Sequence, residues 1–170
     1  MDDPRLTPAR PDVAAKHLEG KVEAARFVAG EEFEISGALA PLRRAPSSDA
    51  ELLTQALKGE HVTIYDRNSE GWAWGQLNSD GYVGWLPDRA LIRPAGAPTH
   101  KVTALRTFAF PGPSIKLPPV ETLVMGTTLT VLREEKEVQE SSGLVTPFAE
   151  RQRLVGKPDW DALEKRYAAE

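Results

Sequence analysis

The residues best suited to binding chemistry lie in one stretch, Thr54–Ile92, which holds three of the four tryptophans and two of the three tyrosines. Aromatic side chains on a rigid sheet stack on apolar stems, and carboxylates beside them attract an amine. A groove of this composition suits an extended peptide or a glycan. The aromatic candidates are Trp72, Trp74, Tyr82 and Trp85, and their charged neighbours are Glu60, Asp66, Arg67 and Asp80.

The other residues give little support for catalytic or metal chemistry. The chain has no cysteine, which excludes a cysteine nucleophile, a thiolate metal site and a disulfide. No serine lies in a nucleophile-elbow pattern, and no glycine cluster opens a helix as a phosphate loop. We therefore predict no catalytic residue, no metal ligand and no cofactor. We set aside the histidines His17, His61 and His100 as metal ligands, because they are isolated in the sequence. We interpret the paired carboxylates Glu31–Glu32 and Glu134–Glu135 as solvated charged edges.

Three consecutive short β-strands must position these aromatic residues. The runs HVTIYDR, GWAWGQL and YVGWLP are separated by turn signals at 68–71 and 78–81, which predicts antiparallel hairpins. Alternation within the second run puts Trp72 and Trp74 on one face and the small residues that follow each of them on the other. We expect Trp74 and Trp85 to fill a small barrel, and a place in the binding surface is the alternative for Trp85.

Composition and charge exclude several classes of function. The net charge is −4 and no basic stripe is present, so duplex nucleic acid is not an expected partner. No run of apolar residues is long enough for a membrane helix, and the start MDDPRLTPARPD lacks the basic and apolar regions of a signal peptide. The sequence therefore predicts no membrane association and a cytoplasmic location, although the absence of cysteine is compatible with the periplasm as well.

A weak internal repeat organises the chain. Gly59–Ile64 corresponds to Gly126–Val131, and Leu42–Arg43 is matched with Leu105–Arg106, which predicts two related barrels. The second copy lacks the aromatic residues, so the first is the expected binding unit. The predicted class is mainly β, with two small SH3-like β-barrels in tandem and a short C-terminal helix. The predicted segments are a lead-in (1–20), a first barrel (21–94), a linker (95–99), a second barrel (100–156) and the helix (157–170).

The predicted terminal helix is amphipathic. Trp160, Leu163 and Tyr167 recur at i, i+3 and i+7, which places them on one helical face. A helix this short is marginal alone, so its apolar face is expected to dock on the second barrel or on a partner.

The run TQALKGE, followed by EGWAWGQLNSDGYVGWLP and a D-x-A-L close, resembles the first bacterial SH3 domain of NlpC-type cysteine endopeptidases. The resemblance covers about residues 2–165 and includes the lead-in and the second block beginning THKVTALRTFAFPGPS. It implies two SH3-type barrels followed by a papain-like domain with a Cys-His-His catalytic set, which cuts peptidoglycan stem peptides. It also implies that Glu60 and Tyr82 hold the free N-terminal amine of L-Ala in the substrate. To these two we add Trp72 and Trp85 of the aromatic surface as candidate substrate-binding residues.

The sequence departs from that family at its end. It stops at Glu170 with no cysteine nucleophile and no catalytic histidine motif. We therefore expect a truncated product, a split gene product or a stand-alone accessory protein that is not itself an enzyme. Its expected ligand is a peptidoglycan stem peptide with free N-terminal L-Ala, and a cysteine-peptidase catalytic domain is an expected partner. The alternative is a protein-interaction adaptor that docks a partner through its barrels and terminal helix.

Overall fold

The computed structural model describes residues 3–94, 96–112 and 116–131. These residues are mainly β-strand, with single 3₁₀ turns at Lys16–Leu18 and Asp88–Ala90, so the predicted mainly β class is confirmed. Residue contacts divide the chain into two compact units, Met1–Ala97 and Pro98–Glu170. The predicted helix at 157–170 and the closing part of the predicted second barrel lie outside the described residues.

The first unit is built on one antiparallel sheet of seven strands that curls into a half-barrel. The order across this sheet is β5-β4-β8-β7-β6-β3-β9, and a separate parallel pair, β1-β2, belongs to the lead-in and the segment after it. The strands predicted from the three aromatic runs are present as β6, β7 and β8. The bounds are β1 Ala14–Ala15, β2 Phe27–Val28, β3 Glu31–Ile35, β4 Leu39–Arg43, β5 Leu52–Leu57, β6 His61–Arg67, β7 Trp72–Leu77, β8 Val83–Pro87 and β9 Leu91–Ile92.

The concave face of this sheet encloses the main core. Alternate residues of each strand point to this face, as the period of two in a β-strand requires. Each large aliphatic side chain buried here contributes about 1.5–3 kcal/mol. Buried members of this core are Phe33, Ile35, Ala40, Leu42, Ala56, Val62, Ile64, Ala73, Leu77 and Leu86.

Two paired glycines allow the sheet to curl at its centre. Gly75 of β7 lies opposite Gly84 of β8. A Cβ atom on Gly75 would lie 2.5 Å from the Thr63 carbonyl oxygen, and one on Gly84 would lie 2.7 Å from the Arg43 carbonyl oxygen. Both contacts are with backbone, so no side chain fits and the neighbouring strands approach closely only because these residues are glycine.

The lead-in covers the convex face of the sheet and forms a second small core there. Val13, Ala14 and Ala15 are fully buried, and Val13 clusters with Trp74 and Val83. The lead-in is therefore an integral layer of the first unit. The expectation that Trp74 fills the barrel is wrong, because Trp74 points to the opposite face from the main core and is buried by the lead-in.

The described part of the second unit, residues 98–112 and 116–131, contains four short strands. β10 pairs with β13 and β11 pairs with β12, both antiparallel. Val102, Ala104 and Leu123 form its buried cluster. The bounds are β10 His100–Lys101, β11 Arg106–Ala109, β12 Glu121–Val124 and β13 Thr128–Leu129.

The backbone pattern of the first unit recurs in the second at an offset of 67 residues. Gly59 N–H donates to the Ile35 carbonyl at 2.9 Å, and Gly126 N–H donates to the Val102 carbonyl at 2.8 Å (59 to 126 and 35 to 102). Both glycines have positive φ, 78° and 96°. The predicted correspondence of Gly59 with Gly126 agrees with this register.

The predicted match of Leu42–Arg43 with Leu105–Arg106 is wrong by four residues. Lys58 N–H donates to the Ala38 carbonyl, and Met125 N–H donates to the Leu105 carbonyl, so Leu105 occupies the place of Ala38. A leucine followed by an arginine is a common strand pattern and carries no information on register, which strand pairing alone fixes.

Within the described ranges, no helix has the length and apolar character needed to cross a membrane.

Candidate functional site

Strand register brings Glu60 and Tyr82 to the same end of the seven-stranded sheet. Glu60 directly precedes β6, and the first residue of β6, His61, accepts a hydrogen bond from Asn78 N–H at 2.9 Å. Asn78 follows Leu77, whose N–H donates to the Tyr82 carbonyl at 2.9 Å. The turn before β6 and the turn between β7 and β8 therefore lie side by side, and each supplies one of the two residues.

Glu60 closes the turn between β5 and β6. Its N–H donates to the Leu57 carbonyl at 3.0 Å, with Gly59 at φ 78° in the third position of the turn, as in a type II turn. Its carboxylate Oε2 accepts the Leu57 N–H at 2.8 Å. Glu60 thus binds both backbone groups of Leu57, while its Oε1 accepts no hydrogen bond from a described residue.

Tyr82 is fixed at its backbone and is half-buried at its ring. Its N–H donates to Asp80 Oδ1 at 3.0 Å, and its ring packs against the main core. Its hydroxyl makes no hydrogen bond to another described residue. A phenol hydroxyl and the free oxygen of a carboxylate are therefore available at this end of the sheet, and both accept hydrogen bonds from an ammonium group.

The lead-in lies beside Tyr82 and forms a wall next to the turn that carries this residue. Val83 N–H donates to the Arg5 carbonyl at 2.7 Å. Gln76 Nε2 donates to the carbonyls of Leu6 and Gly81, both at 2.9 Å, and so joins the lead-in to the turn that carries Tyr82. Sequence reasoning missed these residues, because nothing in their type or spacing indicates contact with residues about 75 positions later in the chain.

Charge at this wall comes from Arg5 and Asp3. The two side chains form a two-pronged ion pair, with Arg5 Nη2 to Asp3 Oδ2 at 2.8 Å and Arg5 Nε to Asp3 Oδ1 at 3.1 Å. The hydrogen bonds from Arg5 lower the pKa of Asp3. The pKa of Arg5 is raised, chiefly by its hydrogen bond to Asp3, and Tyr82 adds a smaller electrostatic contribution.

The structure does not bring Trp72 to Glu60 and Tyr82. Trp72 begins β7 and pairs with Pro87, at the far end of β8 from Tyr82. Five residues of strand separate Tyr82 from Pro87, which is about 17 Å. The Trp72 N–H donates to Asn68 Oδ1 at 2.9 Å. This hydrogen bond closes the turn between β6 and β7, which is a structural role.

Trp85 lies under the lead-in on the convex face. The guanidinium carbon of Arg10 is 4.7 Å from the Trp85 ring centroid and 4.5 Å from the Trp74 ring centroid. Like Trp74, Trp85 does not fill the barrel, and the expectation that it does is wrong. It packs with the second small core, and the Arg10 guanidinium group lies against both rings.

Arg10 is the centre of a charged cluster on the convex face. It donates to Asp66 Oδ2 at 2.6 Å and to Asp12 Oδ2 at 2.5 Å, and Arg26 also pairs with Asp66. Burial alone would raise the pKa of Asp66, but the hydrogen bonds from Arg10 and Arg26 outweigh burial and lower it. The neighbouring Tyr65 has its pKa raised by burial.

Among the described residues, no cluster of three or more histidine, cysteine, aspartate or glutamate side chains has the geometry to hold a metal ion. His61 Nδ1 instead lies 3.0 Å from Glu32 Oε1, which also accepts a hydrogen bond from Asn78 Nδ2 at 3.0 Å. This polar group links β3, β6 and the turn after β7.

Comparison with known proteins identifies part of this unit. No curated protein matches the chain. Residues 42–91 match the family described as the bacterial dipeptidyl-peptidase SH3 domain. The match begins in β4, ends in β9 and includes both Glu60 and Tyr82, while covering less than a third of the chain. The matched residues are therefore a bacterial SH3 region, which contains β5 to β8 and parts of β4 and β9 but not β3.

Proposed function

We propose that the first unit is a non-catalytic recognition module that binds the free amino end of a peptidoglycan stem peptide. Its role is as part of, or as an accessory to, an NlpC-type cell-wall endopeptidase. The observation that carries this proposal is the placement of Glu60 and Tyr82 in adjacent turns at one end of the sheet. The similarity of residues 42–91 to the SH3 domain of bacterial dipeptidyl-peptidases supports a binding role.

The chemistry of the two side chains suits a terminal ammonium group. Glu60 Oε2 is held by Leu57 N–H, which fixes the carboxylate in orientation. Its Oε1 and the Tyr82 hydroxyl then accept hydrogen bonds from the ammonium hydrogens, and the carboxylate charge strengthens its share. An N-terminal amine that is still joined to the glycan has no charge, so the site selects a peptide already released from the sugar.

Titration with L-Ala-γ-D-Glu-diaminopimelate at millimolar concentration tests this proposal. We expect amide shifts in nuclear magnetic resonance spectra to concentrate at Glu60 and Tyr82, and the N-acetylated peptide to bind at least tenfold more weakly. Glu60→Gln is the informative variant, because its amide oxygen still accepts the Leu57 N–H while the charge is lost. The absence of any perturbation at these two residues would refute the proposal.

A catalytic domain supplied in trans makes the test more sensitive. The parent architecture implied by the resemblance places the peptide between the first barrel and a papain-like domain, so an isolated half-site is expected to bind weakly. Adding a separately expressed NlpC-type catalytic domain should tighten binding, and Tyr82→Phe should reduce that gain.

The alternative function is a protein-interaction adaptor, and exposed apolar side chains of the second unit favour it. Leu105 is 82% exposed and Met125 is 55% exposed, and their backbones are joined by a hydrogen bond. Retention of a purified cysteine-peptidase domain on the immobilised chain, lost in Leu105→Glu or in Trp160→Ala, would support this function. Trp160 belongs to the predicted terminal helix, outside the described residues.

A further inference from the structure

We propose that Arg5, carried by the lead-in, binds a carboxylate of the same ligand whose amino end Glu60 and Tyr82 hold. The site would then recognise a peptide that carries both a free ammonium group and a nearby carboxylate. This inference rests on the proposed function and names a specificity-determining residue for it.

Backbone contacts fix the position of Arg5 beside Tyr82. The Arg5 carbonyl accepts a hydrogen bond from Val83 N–H, the residue directly after Tyr82, at 2.7 Å. The next lead-in residue, Leu6, is tied by Gln76 to Gly81, the residue directly before Tyr82. Arg5 is therefore anchored on both sides of Tyr82 by backbone contacts, and its side chain is the cationic group that these contacts bring to this turn.

Asp3 fixes the orientation of the Arg5 guanidinium group. Asp3 engages the Nε–Nη2 edge of Arg5, and Arg5 N–H also donates to Asp3 Oδ1 at 2.9 Å. A guanidinium group has five N–H donors. The two hydrogens on Nη1 and the second on Nη2 donate to no described residue. Asp3 thus holds the plane of the guanidinium group and leaves its other edge available for a second carboxylate.

The ion pair between Arg5 and Asp3 is accessible to solvent. The Arg5 side chain is 55% exposed and that of Asp3 is 36% exposed. An ion pair this accessible adds little to stability, so a structural role explains the pair poorly. An arginine fork at an accessible wall is instead well suited to bidentate recognition of a carboxylate, which a lysine cannot reproduce.

The experiment compares two ligands on the full chain by calorimetric titration. One is L-Ala-γ-D-Glu-diaminopimelate, and the other is the same tripeptide with the D-glutamate α-carboxylate amidated, since that carboxylate is the nearest to the free amine. We expect the acid to bind about fivefold more tightly than the amide. Arg5→Gln should bind both ligands equally, at the affinity of the amide, and Arg5→Lys should keep about a twofold preference.

Arg89→Gln is the matched control, because Arg89 is exposed in the first unit and its loss changes the net charge equally. It should keep the fivefold preference. A preference that survives in Arg5→Gln would overturn the inference while leaving the proposed function intact. Failure of the unaltered chain to bind either ligand would instead refute the proposed function, and the assignment of Arg5 with it.

Discussion

Replacing Arg10 with methionine removes the cation that holds the lead-in against the convex face of the sheet. Methionine retains the aliphatic stem and a similar length, so the change mainly deletes the guanidinium group. The wild-type side chain is 20% exposed, lies against the rings of Trp74 and Trp85, and pairs with Asp66, which is 17% exposed. Because these groups are largely shielded from water, their interactions are only weakly screened.

The magnitude follows from the separate contacts. Each cation–π contact contributes about 1 kcal/mol when partly desolvated, and the charged hydrogen bond to Asp66 contributes about 1.5 kcal/mol. The pair with Asp12 is discounted, because the Asp12 side chain is 58% exposed. Arg10 Nη1 is buried without a hydrogen-bond partner among the described residues, and its removal recovers about 1 kcal/mol. Arg10→Met should therefore lower the free energy of unfolding by about 2–3 kcal/mol.

Urea denaturation followed by tryptophan fluorescence measures this change, since three of the four tryptophans lie in the first unit. The corresponding loss in Tm is about 10–20 °C for a domain of this size. Arg89→Met, on the exposed surface, is the control and should leave both values unchanged. A change below about 0.5 kcal/mol for Arg10→Met would refute the reasoning, because it would mean that the cluster around Arg10 adds no net stability.

Three further outcomes are expected. Glu60→Ala should destabilise the first unit by about 1–2 kcal/mol, because it leaves Leu57 N–H without its acceptor. Glu60→Gln, which keeps an acceptor oxygen, should cost less than half of that. Equal losses of the two variants in urea denaturation would contradict the assigned contact. Gly84→Ala should cost about 3 kcal/mol or more, since its Cβ would meet the Arg43 carbonyl, and an unchanged Tm would show that the strands can separate. Asp66 has a lowered pKa in the folded state, so the stability that it contributes is present above the ordinary aspartate pKa of about 4 and is lost as the pH falls further. Urea midpoints measured down to pH 2.5 should therefore fall less steeply in Asp66→Asn than in the unaltered chain.

Local sequence patterns predicted the central strands well. The runs that give β6, β7 and β8 are separated by two glycine-containing turns, and the middle run alternates its tryptophans with small residues, so period and turn chemistry act in the same direction. The common placement of Glu60 and Tyr82 followed from resemblance to a family. Residue type alone predicted that Glu60 is an ordinary exposed turn residue, because composition does not reveal the hydrogen bond from Leu57 N–H to its carboxylate.

The outer aromatic layer could not be predicted in the same way. Alternation assigns Trp74 to one face of β7, but it does not say which face is covered or by what. The covering residues, among them Arg10 and Val13, come from a lead-in rich in proline and charge, which is usually a loosely ordered terminus. Their burial depends on long-range packing, in which one arginine contacts two tryptophans that lie more than 60 positions later in the chain.

The bond between Glu60 and Leu57 also limits how any ligand can approach. β5 is the outermost strand on one side of the sheet, and an unpaired outer strand recruits extended chains through its backbone groups. Glu60 occupies both backbone groups of Leu57, one with its own N–H and the other with its carboxylate. Under the proposed function, a ligand at this end is therefore recognised through side chains and not by strand addition at Leu57. Side-chain recognition does not depend on the regular backbone spacing of a β-ladder, so it is compatible with D-residues and γ-linkages. The Glu60 contact also keeps the backbone groups of Leu57 from pairing with another copy of the chain.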